Sequence, residues 1–314
     1  IVHHPAYCAD LPENHRFPME KFRAVAAKIE EEGLLNGQRF IKPRPAPAEW
    51  VALAHDRSYV AQVFAADVPP KIAREIGFPM SQSVGLRARC ATGGTVLTGY
   101  LALEHGIACN TAGGSHHARR AQGAGFCVFN DVAVAIRVMQ ADGAIRRALV
   151  VDLDVHQGDG TADIFAGDKS VFTFSMHAEK NYPVRKVASD VDIALPDEIG
   201  DAEYLDRLAQ ALPAVIRAAE ADIVFFNAGV DPYAGDKLGR LSLTRQGLAA
   251  RDRYVLQTLA ATGLPIAGVL GGGYSTDIEE LADRHVTLHR TAAELTPLAV
   301  RSNESGRRVT APLS

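Results

Sequence analysis

Short apolar runs alternate along the chain with longer segments of helical periodicity. The apolar runs predict buried strands at 107–110, 147–156, 171–177, 223–229 and 265–271. Helix-like segments separate them at 93–105, 131–142, 202–220 and 244–262. In the third segment the apolar residues recur at helical spacing: Tyr204, Leu205, Leu208, Leu212, Val215 and Ile216. Strands that are apolar throughout and alternate with helices predict an α/β fold whose parallel sheet is covered on both faces.

Polar clusters directly follow the predicted strands. The chain reads GGSHH after IACN, DVHQGDG after ALVVDLD, SMH after VFTF, NAGVDP after IVFF and GGGYS after IAGVL. In parallel α/β sheets, ligands bind beyond the carboxyl ends of the strands. These five strand ends therefore predict one functional site at that edge of the sheet.

The segment VVDLDVHQGDG at 150–160 places acids directly after an apolar run. Side chains alternate faces along a strand, so Asp152, Asp154 and His156 are expected on one face. Buried carboxylates are costly unless they are paired or bind a cation. We expect Asp154 and His156 to converge on one metal ion, and the deeper Asp152 to accept a hydrogen bond from an imidazole. An exposed acidic turn is the alternative, which the preceding apolar residues disfavour.

Asp231 in FFNAGVDP is the best candidate for a third metal ligand. Taken alone, it could equally be a turn residue before Pro232. With Asp154 and His156 it completes a set that leaves one coordination position open for water. Zn²⁺ fits this set, and Fe²⁺, Co²⁺ or Mn²⁺ could bind the same groups.

Two adjacent histidines follow paired glycines in AGGSHHARR. Asp152 and Asp159 are the two acids of the 150–160 segment that are not assigned to the metal, which leaves one carboxylate for each of His116 and His117. A carboxylate behind an imidazole raises its basicity and a nearby metal lowers it, which suits acid–base catalysis. Tyr274 in GVLGGGYS could donate to an oxyanion, although its turn alone favours an ordinary exposed tyrosine.

Composition narrows the class of protein. The chain has 314 residues, is 47% apolar and carries a formal charge of −4, which argues against electrostatic binding of nucleic acid. No apolar run approaches the roughly 18 residues of a membrane span, and the first residues do not resemble a signal peptide. Without a linker or repeat, we expect one domain over 1–300 and a flexible polar tail over 301–314. Four widely spaced cysteines predict reduced thiols in a cytoplasmic protein: Cys8, Cys90, Cys109 and Cys127.

Together, the segments GGSHHARRAQGAGFCVFNDVAVA, VVDLDVHQGDGTADIF, SMH, NAGVDPYAGDKLGRLSLT and GGGYS resemble the histone deacetylase family of the arginase/deacetylase fold. The five motifs occur in family order between Arg89 and Tyr274, and look most like the class IV branch and its prokaryotic relatives. The resemblance implies a single-domain, three-layer α/β/α fold around a mainly parallel sheet of about eight strands. It also implies zinc-dependent removal of acetyl or longer acyl groups from lysine side chains.

The resemblance assigns roles to individual residues. It implies zinc ligands at Asp154, His156 and Asp231. It implies catalytic roles for His116 backed by Asp152, His117 backed by Asp159, and Tyr274 on the substrate carbonyl, but does not divide the work between the histidines. Substrate-binding positions are Gly125, Phe126, Tyr182 and Gly272. A potassium ion is implied near Asp152, Asp154, His156, Ser175 and Met176, partly through backbone oxygens, and a second cation near the carbonyls of Phe165 and Val171.

Three positions depart from the family pattern. The class IV branch often carries asparagine where this chain has Asp159. The family's internal channel contains an arginine near the N-terminus, for which the nearest match is Lys21, with Arg23 beside it. The family's acidic residue at the substrate entrance has no clear counterpart in ADVPPKIAREIGFPM.

The expected substrate is an acyl-lysine protein or peptide, or an acylated small amine, with no nucleic-acid or membrane partner and with oligomerisation left open. Four other readings share parts of the pattern. They are an acetylpolyamine or small-amide deacetylase, a long-chain acyl-lysine deacylase, a two-manganese arginase-like hydrolase and a catalytically silent acyl-lysine reader. The arginase-like reading is disfavoured because Val155 and Gln157 occupy positions where bridging carboxylates would be needed.

Overall fold

The computed structural model describes the backbone of residues 1–302 and the side chains of residues 1–295, so the predicted tail at 301–314 lies almost wholly outside it. The helices are α1 (Lys21–Glu31), α2 (Ala48–Val51), α3 (Arg57–Ala65), α4 (Pro70–Ile76), α5 (Gln82–His105), α6 (Asp131–Ala141), α7 (Asp159–Ile164), α8 (Asp201–Ala219), α9 (Arg245–Ala260) and α10 (Ile278–Ser302). The strands are β1 (Ile107–Cys109), β2 (Ala148–Asp152), β3 (Val171–Ala178), β4 (Val191–Leu195), β5 (Ile223–Asn227) and β6 (Ile266–Val269).

The six strands form one parallel sheet in the order β1-β6-β5-β2-β3-β4. Two single-residue parallel bridges continue the sheet beyond β1, from Asn110 to Val2 and from Val2 to Ile41. Eight chain segments therefore lie side by side, six as strands and two as bridges. This arrangement confirms the predicted parallel sheet and accounts for its expected size.

Apolar residues cover both faces of the sheet. Along β2, Ala148 and Val150 pack into one core with α5 and α6, whereas Leu149 and Val151 pack into a second core with α8 and α9. Every residue of the central strands β2 and β5 is buried. The continuous apolar runs in the sequence are thus explained by burial on both sides.

The predicted strand 147–156 is too long, because β2 ends at Asp152. Beyond it, the backbone N–H of Asp154 donates to Asp152 Oδ1 at 3.2 Å, and that of His156 donates to Asp154 Oδ1 at 3.0 Å. In this way the short acidic side chains accept backbone N–H groups that would otherwise pair with a neighbouring strand, and the chain turns out of the sheet. Asp154 and His156 therefore reach the site from a turn, and not from one face of a strand.

The edge strand β4 was not predicted. Its residues alternate between half-buried and exposed until Leu195, so it has no continuous apolar run. No helix in the described part of the chain is long and apolar enough to cross a membrane. The four cysteines are free, in agreement with the expected reduced thiols.

An ion-pair cluster links α10 to the end of α1. Arg290 donates to the carboxylate of Glu32 at 2.5 and 2.7 Å and to Asp283 Oδ1 at 2.6 Å. These bonds lower the pKa of Glu32. Partial burial would raise the pKa of Asp283, but its bonds to Arg290 and the charge of Arg245 leave it lowered.

We expect Arg290→Gln to lower the free energy of unfolding by about 1 kcal/mol at pH 7. Because both carboxyl pKa values are lowered in the folded state, this stabilisation is present above their unfolded values and is lost as the pH falls through the folded ones. Urea unfolding of both proteins between pH 7 and pH 4 measures the difference, which should shrink towards pH 4. Arg217→Gln, an exposed change on α8, is the control, and a difference that does not depend on pH would contradict the assignment.

Candidate metal and catalytic site

The polar clusters meet at the carboxyl edge of the sheet. Asp154 and His156 follow β2, Asp231 follows β5, and the glycines that precede Tyr274 follow β6. His116, in the segment between β1 and α6, reaches the same place, since its ring lies 3.8 Å from Asp154 Oδ1. The structure thus brings together side chains that are far apart along the chain.

Asp154, His156 and Asp231 form a buried cluster in which one ligand atom from each lies within 4.8 Å of the others. His156 Nδ1 is 3.0 Å from Asp154 Oδ1 and 3.1 Å from Asp231 Oδ2. The other oxygen of each carboxylate accepts a backbone N–H, from Gly272 at 2.6 Å and from Val155 at 2.9 Å. The main chain therefore orients both acids towards the imidazole.

The electrostatics of this cluster favour a cation. Burial and the charge of Asp154 raise the pKa of Asp231 to about 7. Burial alone would lower the pKa of His156, but Asp154 and Asp231 raise it to about 10. Two facing buried carboxylates require positive charge between them, and two oxygens with one imidazole nitrogen suit a divalent metal ion. These residues fit the expected zinc site.

Each neighbouring histidine is backed by a carboxylate. His116 Nδ1 lies 2.7 Å from Asp152 Oδ2, and His117 Nδ1 lies 2.6 Å from Asp159 Oδ1. The two rings are 4.1 Å apart between centroids. In the neutral form of either ring, donation from Nδ1 leaves Nε2 as the acceptor, which is the tautomer able to take up a proton.

The two histidine–carboxylate pairs have opposite electrostatics. Burial would lower the pKa of His116, but Asp152 and Asp154 raise it to about 9. Burial and the charge of His116 lower the pKa of His117 to about 4, against the effect of Asp159. One ring therefore favours the protonated form and the other the neutral form.

Two polar partners in these pairs were not predicted from the sequence. Arg119 Nη2 donates to Asp159 Oδ2 at 2.7 Å, so this buried carboxylate contacts a guanidinium as well as His117. Asn227 Nδ2 donates to Asp152 Oδ1 at 3.0 Å. Arg119 lies in the AGGSHHARR segment itself, but nothing in that segment indicates that its guanidinium would contact Asp159, a carboxylate 40 residues further along the chain.

Tyr274 is buried at the wall of the site, with its ring centroid 6.3 Å from that of His156. Its backbone N–H donates to Asp236 Oδ2 at 2.6 Å, and Lys21 Nζ lies 3.3 Å from Gly271 O and 3.4 Å from Gly273 O. The glycine loop that carries Tyr274 is therefore bound from both sides.

An open pocket of about 340 Å³ leads from the surface to this cluster. Gly125, Phe126 and Tyr182 line it, together with His117 and others, and the Tyr182 ring is 4.8 Å from the His117 ring. Phe126 has a left-handed φ of 65°. Its N–H donates to Ile76 O at 2.7 Å, so the end of α4 holds this unusual backbone in place.

Glu75 also lines the pocket and was not singled out from the sequence. It belongs to the segment ADVPPKIAREIGFPM, in which no acidic entrance residue was recognised. Glu75 is the next-to-last residue of α4, and nothing in a short helical sequence distinguishes an acid at a pocket entrance from an ordinary exposed one.

A smaller cavity of about 30 Å³ lies next to the cluster and is lined by an arginine that was not singled out from the sequence. Arg87 of α5 lines this cavity. The ammonium group of Lys21 donates instead to the carbonyls of Gly271 and Gly273, and Arg23 forms an ion pair with Glu20 at the surface. Arg87 is 4% exposed, and its Nε has no hydrogen-bond partner among the described residues. Gly272 lines this inner cavity as well.

The residues implied for potassium are buried next to the metal cluster. Asp152 of β2 is in register with Ser175 of β3, and Met176 follows it. Ser175 Oγ lies 2.9 Å from His177 Nδ1. At the positions implied for a second cation, Phe165 O accepts the N–H of Asp168 at 2.9 Å, and Val171 begins β3.

Comparisons with known proteins identify the class. The family model described as the histone deacetylase domain matches residues 15–289. A probable deacetylase of Methanothermobacter thermautotrophicus is 30% identical over 306 residues, which cover 92% of this chain and 89% of the relative. Histone deacetylase 8 of Xenopus tropicalis is 32% identical over 273 residues, covering 80% and 72%. The chain therefore belongs to the histone deacetylase family, a class of amide hydrolases.

Two further comparisons extend this result. An uncharacterised protein of Picosynechococcus sp. is 48% identical over 295 residues, covering 94% of this chain and 98% of the relative. The crystal structure of the HDA15 HD domain superposes with a TM-score of 0.75 at 22% identity, covering 96% of this chain and 93% of that one. That likeness shows the shared fold.

Gly272 tests the metal cluster directly. A methyl group at this position would lie 2.1 Å from Asp231 Oδ2 and 2.7 Å from Asp154 Oδ2. We expect Gly272→Ala to weaken metal affinity by about 10–100-fold, measured by competition with a chromogenic chelator. Gly200→Ala is the matched control, because its methyl group would meet only Ser242 O at 4.0 Å. Equal affinity in wild type and Gly272→Ala would contradict the assigned geometry.

Proposed function

We propose that this protein is a metal-dependent hydrolase that removes acyl groups from lysine side chains. The observation that carries the proposal is the buried Asp154–His156–Asp231 cluster, which lies beside two carboxylate-backed histidines at a pocket that opens to the surface. We propose that an acyl-lysine side chain enters this pocket and that its amide lies next to the histidines. We take residues 1–300 as the catalytic domain, and the free cysteines support a reducing compartment such as the cytoplasm.

Asp154, His156 and Asp231 are the proposed metal ligands, with Zn²⁺ as the expected ion and Fe²⁺ as the alternative. When bound, such an ion supplies Lewis-acid chemistry that polarises a carbonyl and acidifies a water molecule. Asp152, Ser175 and Met176, with backbone oxygens of Asp154 and His156, are the proposed potassium site. A cation bound there, where β2 and β3 pair, would stabilise the acidic ends of these strands.

His117 is the proposed general base. It lines the outer pocket as well as the inner cavity, whereas His116 lines only the inner cavity, so His117 faces the substrate. Asp159 holds its Nδ1 as the donor, and Nε2 is left to take the proton of the attacking water and return it to the leaving lysine amine. His116, with Asp152 behind it, is proposed to assist from the inner side.

Tyr274 is proposed to donate its hydroxyl to the developing oxyanion, since its ring lies at the wall next to His156. Phe126 and Tyr182 are proposed to pack on the lysine methylenes, and the Gly125 carbonyl to accept the substrate N–H. Gly272 contributes its N–H to Asp154 and leaves room for both carboxylates. Glu75, which also lines the pocket, is proposed to accept backbone N–H groups of a peptide.

The other readings are less well supported. An arginase-like centre needs two metals, whereas the described residues contain one three-residue cluster able to hold an ion. A silent reader would not need two histidine–carboxylate pairs beside that cluster. Turnover of acetyl-lysine and myristoyl-lysine peptides, compared side by side, separates short-chain from long-chain deacylation.

Removal of the metal tests the proposal. Dialysis against a chelator is expected to abolish hydrolysis of an acetyl-lysine peptide, because the carbonyl then loses its Lewis acid. About one equivalent of Zn²⁺ or Fe²⁺ per chain should restore it. Full activity in protein shown to be metal-free would rule the mechanism out, and a requirement for two equivalents would favour the arginase-like centre.

Tyr274→Phe is expected to lower kcat by about 10²–10³-fold, because one oxyanion donor is lost. KM and bound metal should change little, since the hydroxyl is not a metal ligand. Tyr254→Phe on α9 is the matched control, as its hydroxyl meets only Ala209 O at 3.4 Å. An unchanged kcat would remove Tyr274 from the mechanism.

A further inference from the structure

Charged residues surround the entrance of the outer pocket, and most of them are positive. Arg16, Lys180 and Arg240 line it against a single acid, Glu75, and these four residues are named here the pocket mouth. All four are exposed. The chain as a whole carries a formal charge of −4, so the pocket mouth differs in sign from the protein average. A cleft lined by one sign of charge raises the local concentration of ligands of the opposite sign.

Arg16 has no ion pair or side-chain hydrogen bond within the described part of the chain. Its guanidinium instead lies 4.8 Å from the centroid of the Phe126 ring. Phe126 is packed from beneath by Phe17 and Phe78, at 5.2 and 5.4 Å between centroids. Stacking on a supported ring positions Arg16 beside the proposed lysine tunnel while its donors stay available for a carboxylate.

Lys180 and Arg240 share one carboxylate. Asp197, which is not part of the pocket lining, lies 3.8 Å from Lys180 Nζ and 3.2 Å from Arg240 Nη1. Glu75 is hydrogen-bonded to Gln122. Three cations therefore face two acids around the opening, and Arg16 is the cation left without a partner.

We infer that the preferred substrate is an acyl-lysine flanked by acidic residues. This inference rests on the proposed function and specifies its substrate class. Carboxylates that flank the acyl-lysine would meet Arg16, Lys180 and Arg240 at the pocket mouth. An acylated polyamine would bring its remaining ammonium groups to the same cations, and a basic histone-like tail would bring lysines and arginines to them.

Matched peptides test this inference. Three acetyl-lysine peptides of equal length carry two Asp, two Ser or two Arg on each side of the acetyl-lysine, and N-acetylspermidine is the fourth substrate. At low ionic strength we expect kcat/KM to fall about three- to tenfold from the acidic to the neutral peptide, and again to the basic one. N-acetylspermidine should be slower than the neutral peptide. The differences should shrink at 0.3 M salt, since exposed charges are screened.

Variants assign the preference to the pocket mouth. Arg16→Gln combined with Arg240→Gln should bring the ratio of kcat/KM for the acidic peptide to that for the basic peptide to within about twofold of unity. Arg16→Glu combined with Arg240→Glu should invert this ratio, so that the basic peptide is hydrolysed faster. The matched control combines Arg207→Gln with Arg253→Gln, two exposed arginines on α8 and α9 that pair with Glu203 and Glu294. The control should keep the wild-type ratio.

The outcomes separate this inference from the proposed function. Hydrolysis of all three peptides at equal rates, or fastest hydrolysis of the basic peptide or N-acetylspermidine, overturns the inference and leaves lysine or amine deacylation standing. No hydrolysis of any acyl substrate by metal-loaded protein contradicts the proposed function. In that case the affinities of the three peptides for Tyr274→Phe protein still decide the charge preference, and equal affinities overturn it.

Discussion

Negative charge buried at the ends of neighbouring strands is the constraint on which the site depends. Asp152, Asp154 and Asp231 are at most 3% exposed, and a buried carboxylate is tolerated only when donors or cations surround it. The chain meets this requirement with main-chain amides, an asparagine and two imidazoles. The arrangement concentrates negative charge at one edge of the sheet, and these buried carboxylates therefore favour binding of a cation.

The sheet makes this concentration possible. Parallel strands bring their carboxyl ends to one edge, and the acids follow β2 and β5, which pair along their whole length. Close approach of the chains there also requires small residues. At Gly229, for example, a methyl group would lie 2.5 Å from Asp154 Oδ2. The site thus arises from the topology of the sheet together with the absence of side chains at a few contact points.

The parallel sheet and the family were predicted from the sequence, and the structure and comparisons confirm both. Apolar runs followed by polar residues correctly predicted where the strands end in space. The strand predicted at 147–156 is too long, because the sequence pattern does not reveal that the carboxylates of Asp152 and Asp154 accept backbone N–H groups that would otherwise pair with a neighbouring strand. Glu75, Arg87 and Arg119 were missed for a different reason. Each acquires its role from contacts with residues distant in sequence, and a charged residue on a helix or loop gives no local sign of such contacts. The edge strand β4 was missed because two of its five residues are exposed and two are only half-buried, so it has no continuous apolar run.

The link between Arg119 and Asp159 joins the deep interior to the protein surface. The Arg119 side chain is 40% exposed, whereas the carboxylate that it contacts is fully buried behind His117. A residue accessible to solvent, ions and neighbouring molecules therefore belongs to the electrostatic surroundings of the His117 imidazole. Substitutions at that outer position offer evolution a means of adjusting the reactivity of the centre while the packed interior stays intact.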